Sequence, residues 1–201
     1  MKRQSVFPPP GSLCRREREN RAMNVILTGL RGTGKTSIGR HLALALRRPF
    51  FDTDLLIEQQ IGEPIPQYVD RLGWDAFRDL EHQVICQVVQ QQDAVLSPGG
   101  GALTYARNVE VLKPSGIIIL LAADPVTLAK RLERSYVRPP LTDQPNLEAE
   151  MSALWTQREP LYRKICDLVL WVDAETDDEE ADIHAKVSAL LIMLRPFLDE
   201  Q

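Results

Sequence analysis

The sequence predicts an α/β domain in which a five-stranded parallel β-sheet is covered on both faces by helices. Short runs of β-branched and leucine residues alternate along the chain with amphipathic segments of helical period, an order typical of parallel sheets. The first such run leads directly into a glycine-rich loop and then a helix, which is the setting of a phosphate-binding loop. We therefore expect a three-layer sandwich of helices around one sheet.

Five hydrophobic runs are predicted to be strands. The fourth is an uninterrupted run of isoleucine and leucine, which is typical of a parallel strand buried on both faces. In chain order the predicted strands are 24–28, 49–51, 94–97, 117–121 and 168–172.

Helices are predicted between the strands, where hydrophobic residues recur with helical spacing. Gly62 and Pro64 end the second helix, and Asp124-Pro125 is a start signal for a later one. The stretch 134–147 is polar and contains several prolines, a composition that suits a flexible lid. In chain order the predicted helices are 35–46, 55–61, 67–72, 77–89, 125–132, 147–162 and 183–194.

Length and composition fit one folded domain. The chain has 201 residues, 44% of them hydrophobic, and a net charge of −4, whereas nucleic-acid-binding domains are usually basic. No hydrophobic run approaches the roughly 18 residues of a membrane-spanning helix. The three cysteines are odd in number and far apart, which favours a reducing compartment. We therefore expect a cytoplasmic monomer that binds neither nucleic acid nor membrane.

The first 22 residues differ from the rest of the chain. They contain six Lys or Arg, two Glu and the run Pro8-Pro9-Pro10-Gly11, with little hydrophobic periodicity, a composition typical of disorder. We expect a disordered basic extension over 1–22 and a folded domain over 23–201. Met23 directly precedes the first predicted strand, so one hypothesis is that translation begins there, which the intact mass of the native protein would test.

The glycine-rich loop has the sequence Gly29-Leu30-Arg31-Gly32-Thr33-Gly34-Lys35-Thr36, which fits G-x-x-x-x-G-K-[ST]. Its glycines allow several backbone N–H groups to point at one anion, and the helix that follows adds its positive end. Lys35 supplies a charge for the β- and γ-phosphates, and the Thr36 hydroxyl is a ligand for Mg²⁺. A glycine-rich turn that matches by chance is the alternative. The predicted nucleotide-binding residues are Gly32, Thr33, Gly34, Lys35, Thr36 and Ser37.

Five further motifs follow the loop in order along residues 24–172. They are Asp52-x-Asp54, Phe77-Arg78-x-x-Glu81, Gly99-Gly100-Gly101, Arg138-Pro139-Pro140-Leu141 and Arg158-x-Pro160-Leu161-Tyr162. In this order and spacing the chain resembles shikimate kinase. The resemblance implies a P-loop fold like that of nucleoside monophosphate kinases. It also implies ATP-dependent phosphorylation of the 3-hydroxyl of shikimate, a step of aromatic amino-acid biosynthesis that yields shikimate 3-phosphate and ADP.

The resemblance assigns a substrate role to four residues. Arg78 and Arg158 would bind the carboxylate of shikimate through paired N–H groups. Asp54 would hold the ring hydroxyls and take the proton from the attacking oxygen. Gly100 would bring bare backbone against the substrate. Each of these residues also has a structural alternative: Arg78 and Glu81 as a surface ion pair, Asp54 as a helix cap, the glycines as a plain turn, and Arg158 as an exposed charge.

The resemblance also assigns roles on the nucleotide side. Asp52 would reach Mg²⁺ through water beside Thr36, and Arg138 in the lid would close on the phosphates of ATP. The implied catalytic residues are thus Lys35, Asp54 and Arg138, and either Arg131 or Arg134 would stack on adenine. Pro98 departs from the Ser or Thr that many family members carry before the three glycines, so Ser97 is the candidate to replace that hydroxyl.

Two other functions remain open on the sequence alone. A gluconate kinase or a nucleoside monophosphate kinase would share the phosphate loop, and the substrates of the former also carry a carboxylate and hydroxyls. A nucleotide-binding module without catalysis would be expected to lack Asp54 or one of the arginines. The paired arginines and the glycine run favour shikimate as the acceptor.

Overall fold

A computed structural model of the chain describes residues 23–134, 144–173 and 178–198. In this part of the chain five parallel strands form one sheet in the order β2-β3-β1-β4-β5, which confirms the predicted sheet. The strands are β1 (Asn24–Thr28), β2 (Phe50–Asp52), β3 (Val95–Ser97), β4 (Gly116–Ala122) and β5 (Leu168–Trp171).

Helices connect the strands, as the sequence pattern predicts. Two short 3₁₀ turns, Ala102–Thr104 and Lys113–Ser115, flank the fourth helix. The α-helices are α1 (Lys35–Leu46), α2 (Thr53–Ile61), α3 (Ile65–Val88), α4 (Ala106–Leu112), α5 (Pro125–Arg134), α6 (Leu147–Ile165) and α7 (Glu179–Leu198). None of these described helices combines the length and hydrophobicity that crossing a bilayer requires.

The centre of the sheet is the centre of the core. β1 pairs with β4 along its whole length, from Asn24 opposite Gly116 to Thr28 opposite Leu120. All five residues of β1 are buried, as are the last six of β4. This burial on both faces explains why the two strands are nearly continuous hydrophobic runs rather than alternating ones.

One glycine ends α2 and another interrupts α3. Gly62 has φ 74° and ends α2 by donating its N–H to the Glu58 carbonyl oxygen. Gly73 has φ 83° and ψ 167°, a non-helical conformation inside α3. The range of α3 therefore consists of two helical segments separated by a kink at Gly73, and they correspond to the predicted helices 67–72 and 77–89.

Several details differ from the sequence prediction, among them the start of α2 at Thr53 rather than 55 and of α7 at Glu179 rather than 183. β2 extends to Asp52, whose side chain accepts the N–H groups of Asp54 and Leu55 and so caps α2. Helix α4 was not predicted, because a helix of seven residues carries less than two repeats of hydrophobic period. Residues 1–22 and most of the predicted lid lie outside the described residues, so neither prediction is tested.

The parallel order places the functional motifs at one edge of the sheet. β1, β3 and β2 are neighbours, and the phosphate loop, the glycine run and Asp52-Thr53-Asp54 follow or close these strands. Because parallel strands share one carboxyl edge, segments that are distant in sequence meet there. The register confirms this, since Asp52 of β2 lies opposite Ser97 of β3.

Candidate active site

The loop between β1 and α1 has the backbone shape of an anion site. Gly29, Gly32 and Gly34 all have positive φ, at 145°, 83° and 82°. A Cβ on Gly29 would lie 2.4 Å from the carbonyl oxygen of Leu121, so a larger residue would force the loop away from β4. Gly34 precedes α1 without a side-chain hydrogen bond to its first turn. The N–H groups of that turn can therefore bind an anion.

Lys35 lies against this loop. Its Nζ donates to the carbonyl oxygens of Gly29 and Leu30, each at 3.0 Å. The Thr33 hydroxyl donates to the same Leu30 oxygen at 2.9 Å and is buried. These bonds hold the ammonium group at the loop, where phosphates would bind.

A hydroxyl and a carboxylate meet at the start of α1. The Thr36 hydroxyl donates to Oδ2 of Asp52 at 2.7 Å, and the buried Ser97 hydroxyl lies 3.5 Å from the same oxygen. The other oxygen, Oδ1, accepts the Asp54 N–H at 3.1 Å. Groups of α1, β3 and α2 thus hold the Asp52 side chain in place. Its carboxylate places hard oxygen atoms beside the phosphate loop.

The glycine run after β3 touches both the phosphate loop and the polar side chains. A Cβ built on Gly99 would lie 2.7 Å from Oδ1 of Asp54, and one built on Gly100 would lie 3.2 Å from the Gly29 carbonyl oxygen. The Gly99 N–H donates to the Thr53 hydroxyl at 3.1 Å. The run therefore needs glycine because neighbouring groups occupy the space of a side chain.

Two guanidinium groups converge on the end of the same run. A Cβ on Gly101 would lie 3.2 Å from Nη2 of Arg78 and 3.7 Å from Nη2 of Arg158. Nη1 of Arg158 donates to the Gly100 carbonyl oxygen at 3.2 Å, and the buried Tyr162 hydroxyl donates to it at 2.5 Å. Two like charges beside bare backbone form a site for a small anion such as a carboxylate.

Arg78 is oriented by a buried carboxylate. Its Nη1 donates to both oxygens of Glu81, at 3.0 and 2.9 Å, and Glu81 is only 1% exposed. The pair is therefore not the surface ion pair that spacing alone allowed. Burial raises the pKa of Glu81, the nearby Asp54 carboxylate raises it further, and Arg78 opposes both effects.

Comparison with known proteins shows to which family a chain with this site belongs. The family model described as "Shikimate kinase" matches residues 31–190. The shikimate kinase of Burkholderia thailandensis is 41% identical over 149 residues, which are 74% of this chain and 80% of that protein. The structure of the Acinetobacter baumannii shikimate kinase in complex with shikimate superposes with a TM-score of 0.73 and 35% identity, covering 87% of this chain and 94% of the other. The chain belongs to the shikimate kinase family.

Membership of the shikimate kinase family establishes the reaction and the fold class. The reaction is ATP-dependent phosphorylation of the 3-hydroxyl of shikimate, within aromatic amino-acid biosynthesis. The structure of the Bacteroides thetaiotaomicron shikimate kinase, with a TM-score of 0.76, 27% identity and coverage of 86% of this chain and 98% of the other, has the same fold. The predicted resemblance to the P-loop fold of nucleoside monophosphate kinases is thus confirmed.

The structure decides between some of the alternatives that the sequence of this shikimate kinase left open. Asp54 does not cap α2, since Asp52 does so. Arg131 donates to the carbonyl oxygens of Gly32 and Val172, at 3.5 and 2.5 Å, and so lies between the phosphate loop and the end of β5. Arg138 lies outside the described residues, and its predicted role is not tested.

One residue of the shikimate kinase site has no role in the sequence prediction. Tyr162 belongs to the motif Arg158-x-Pro160-Leu161-Tyr162, yet nothing in the sequence indicates its contact with Gly100. The signal that was available is its position four residues after Arg158, which places both side chains on one face of α6.

Replacing Tyr162 by phenylalanine removes a hydrogen bond of about 1 kcal/mol that holds the Gly100 carbonyl oxygen. The KM for shikimate is expected to rise by up to about fivefold, because the glycine run is then held less firmly where the substrate binds. Burial raises the pKa of the Tyr162 hydroxyl, so it keeps its proton and donates to Gly100. The KM for ATP should not change. Steady-state kinetics would measure both constants, with Tyr68→Phe as the control for loss of a hydroxyl elsewhere; an unchanged KM for shikimate would contradict the prediction.

The stability of this shikimate kinase is expected to depend on the ionisation of Glu81. The folded protein holds the Glu81 proton more tightly than the unfolded chain, whose pKa is near 4.5. The titration of Glu81 therefore lowers the free energy of unfolding as pH rises from about 4.5 through the higher folded pKa. Glu81→Gln removes this contribution, so wild type should lose stability relative to the variant over this pH range.

Urea denaturation at a series of pH values would measure this difference. The exposed Glu110 offers a matched control. Glu110→Gln makes the same change of carboxylate to amide on α4, but at a position where the carboxylate is not buried. Parallel pH profiles for wild type and Glu81→Gln would show that Glu81 does not titrate differently in the folded state.

Proposed function

We propose that Arg78 and Arg158 bind the carboxylate of shikimate while Asp54 holds the ring hydroxyl that attacks ATP. The observation that carries this proposal is the convergence of the two guanidinium groups and the Asp54 carboxylate on Gly99–Gly101. These groups match the two ends of shikimate, an anionic carboxylate and neutral hydroxyls. Asp54 accepts the proton of this hydroxyl while the hydroxyl oxygen bonds to the γ-phosphorus of ATP, and the bond from that phosphorus to the bridging oxygen breaks so that ADP leaves.

The nucleotide would lie on the other side of the glycine run. The backbones of Gly29 and Gly100 are close together, since a Cβ built on Gly100 would lie 3.2 Å from the Gly29 carbonyl oxygen. The phosphoryl donor, ATP, and the acceptor, shikimate, would therefore meet at this point. Lys35 would neutralise the β- and γ-phosphates, and the N–H groups of the segment Gly32–Ser37 would surround them. Arg138 would close on the phosphates and stabilise the charge that develops during transfer.

Thr36 and Asp52 are the residues that would hold Mg²⁺. A hydroxyl and a carboxylate oxygen 2.7 Å apart are hard oxygen donors, which Mg²⁺ prefers. The described part of the chain has no cluster of three or more His, Cys, Asp or Glu that could hold a metal, and Mg²⁺ usually takes few protein ligands together with water and phosphate oxygens. When bound, the ion would neutralise phosphate charge.

The active unit would be a monomer in a reducing compartment such as the cytoplasm. Cys86 and Cys166 are free thiols, which is usual for proteins of reducing compartments.

The test is ADP release from ATP and Mg²⁺ in the presence of shikimate, gluconate, AMP or no acceptor. Release that requires shikimate, and that is lost in Arg78→Ala and Arg158→Ala with ATP binding retained, would support the proposed roles. Gluconate, AMP and the reaction without acceptor are controls for release that does not depend on shikimate. Undiminished shikimate-dependent release in Arg78→Ala and Arg158→Ala would make the two arginines structural.

A further inference from the structure

Three aromatic rings surround the guanidinium group of Arg78. Its Cζ lies 5.0 Å from the ring centre of Phe77, 5.2 Å from that of Trp74 and 5.1 Å from that of Tyr105. All three distances are within the roughly 6 Å at which an aromatic ring attracts a cation. We propose that these rings, here called the aromatic clamp, position Arg78 for the substrate carboxylate, and that Tyr105 is a positioning residue for shikimate binding. This inference rests on the proposed role of Arg78.

The hydrogen bonds of Arg78 orient only one part of its guanidinium group. Nη1 is engaged by Glu81, whereas Nη2 points towards Gly101, where the carboxylate would bind. Nε is buried and has no hydrogen-bond partner among the described residues. Ring contacts therefore supply an orientation that the hydrogen bonds leave incomplete.

The clamp also leaves hydrogen-bond donors of Arg78 for an anion. An aromatic ring attracts a cation through its π face and engages none of the N–H groups as a hydrogen-bond acceptor would, and Nη2 stays beside Gly101. An edge of two N–H groups matches a planar carboxylate, which accepts two parallel hydrogen bonds. An arginine that is already held in one rotamer loses less conformational entropy on binding. Both effects would lower the KM for shikimate without altering the chemistry at the hydroxyl.

Tyr105 is the member of the clamp best suited to a test. Phe77 is only 4% exposed and belongs to the core, whereas Tyr105 is 39% exposed. Trp74 and Phe77 lie on α3 with Arg78, but Tyr105 precedes α4. It thus connects the helix that carries the substrate arginine with the segment that follows the glycine run.

The experiment compares Tyr105→Ala with Tyr105→Phe in the full chain. Tyr105→Ala is expected to raise the KM for shikimate by roughly three- to thirtyfold, the range for loss of one cation–π contact, with little change in kcat or in the KM for ATP. Tyr105→Phe keeps the ring and should restore a KM near that of wild type. Phe197→Ala, which removes another exposed aromatic side chain far along the sequence on α7, is the control.

A second substrate separates positioning from general packing. The methyl ester of shikimate has no carboxylate charge, so it lacks the charged hydrogen bonds that Arg78 would make with shikimate. The ratio of KM values between Tyr105→Ala and wild type should therefore fall towards one with the ester. Isothermal titration of shikimate would give the same comparison without turnover.

Three results would overturn the inference. The first is a Tyr105→Ala protein with an unchanged KM for shikimate. The second is an equal penalty with shikimate and its ester, and the third is a parallel loss of ATP affinity and melting temperature, which would indicate a structural role. If Arg78→Ala also leaves the KM for shikimate unchanged, the proposed role of Arg78 fails and the inference fails with it. If Arg78→Ala raises the KM and Tyr105→Ala does not, only the inference fails.

Discussion

Replacement of Asp54 by asparagine is expected to abolish turnover, lowering kcat by roughly 10²–10⁴-fold or more, while leaving ADP affinity nearly intact. Asparagine has the same shape but cannot accept the proton of the attacking hydroxyl. Asp54 Oδ1 lies against Gly99 of the glycine run, on the acceptor side of the site, whereas the phosphates would be held by Lys35 and the loop. The loss should therefore fall on the chemical step.

Steady-state kinetics with shikimate and calorimetric titration of ADP would measure the two quantities separately. Asp70→Asn, at an exposed position of α3, is a matched change that should leave kcat unaltered. Wild-type activity in Asp54→Asn would remove Asp54 from the mechanism. A large loss of ADP affinity would show that Asp54 acts on the nucleotide side instead.

The fold was predictable from local patterns because each strand and most helices carry their own signal. The run 117–121 corresponds to β4, whose burial on both faces excludes polar residues. Gly73 separated two helical patterns, and the structure has its kink there. Helix α4 lacked such a signal, because it is short and one of its buried residues, Asn108, is polar. The Asn108 side chain is bound locally by the Ala102 carbonyl oxygen and, in a tertiary contact, by the ring of His82 on α3.

The candidate site was predictable as a set of residues but not as a set of contacts. The motifs indicate which charged side chains belong to the site, and the parallel sheet explains why these side chains lie at the same carboxyl edge. The partner of each side chain depends on chain segments that are far apart. Tyr162 and Gly100 are separated by 62 residues, and the ring of Tyr105 reaches Arg78 from the segment that precedes α4. Such pairs follow from tertiary packing, for which one sequence carries no local signal.

The ion pair between Arg31 and Glu150 is another contact of this kind, and its loss is expected to have the largest effect on stability. It joins the phosphate loop to α6 across 119 residues of sequence. The two side chains are 12% and 4% exposed. Removal of one partner from a buried pair costs about 3–5 kcal/mol, because the other charge stays where water is scarce. Glu150→Ala should therefore lower the free energy of unfolding by about 3 kcal/mol, measured by urea denaturation.

Two further variants test whether burial of the charge is the cause. Replacing both residues by methionine removes both charges and keeps side-chain volume, a change that is often neutral in proteins, so the double variant should recover most of the loss. Asp79→Ala breaks the Arg107–Asp79 pair, whose side chains are 40% and 66% exposed, and should cost less than about 1 kcal/mol. If the double variant is as unstable as Glu150→Ala, lost packing rather than burial of the Arg31 charge explains the effect. If Glu150→Ala costs no more than Asp79→Ala, the pair contributes no more than a surface contact to holding α6 beside the phosphate loop.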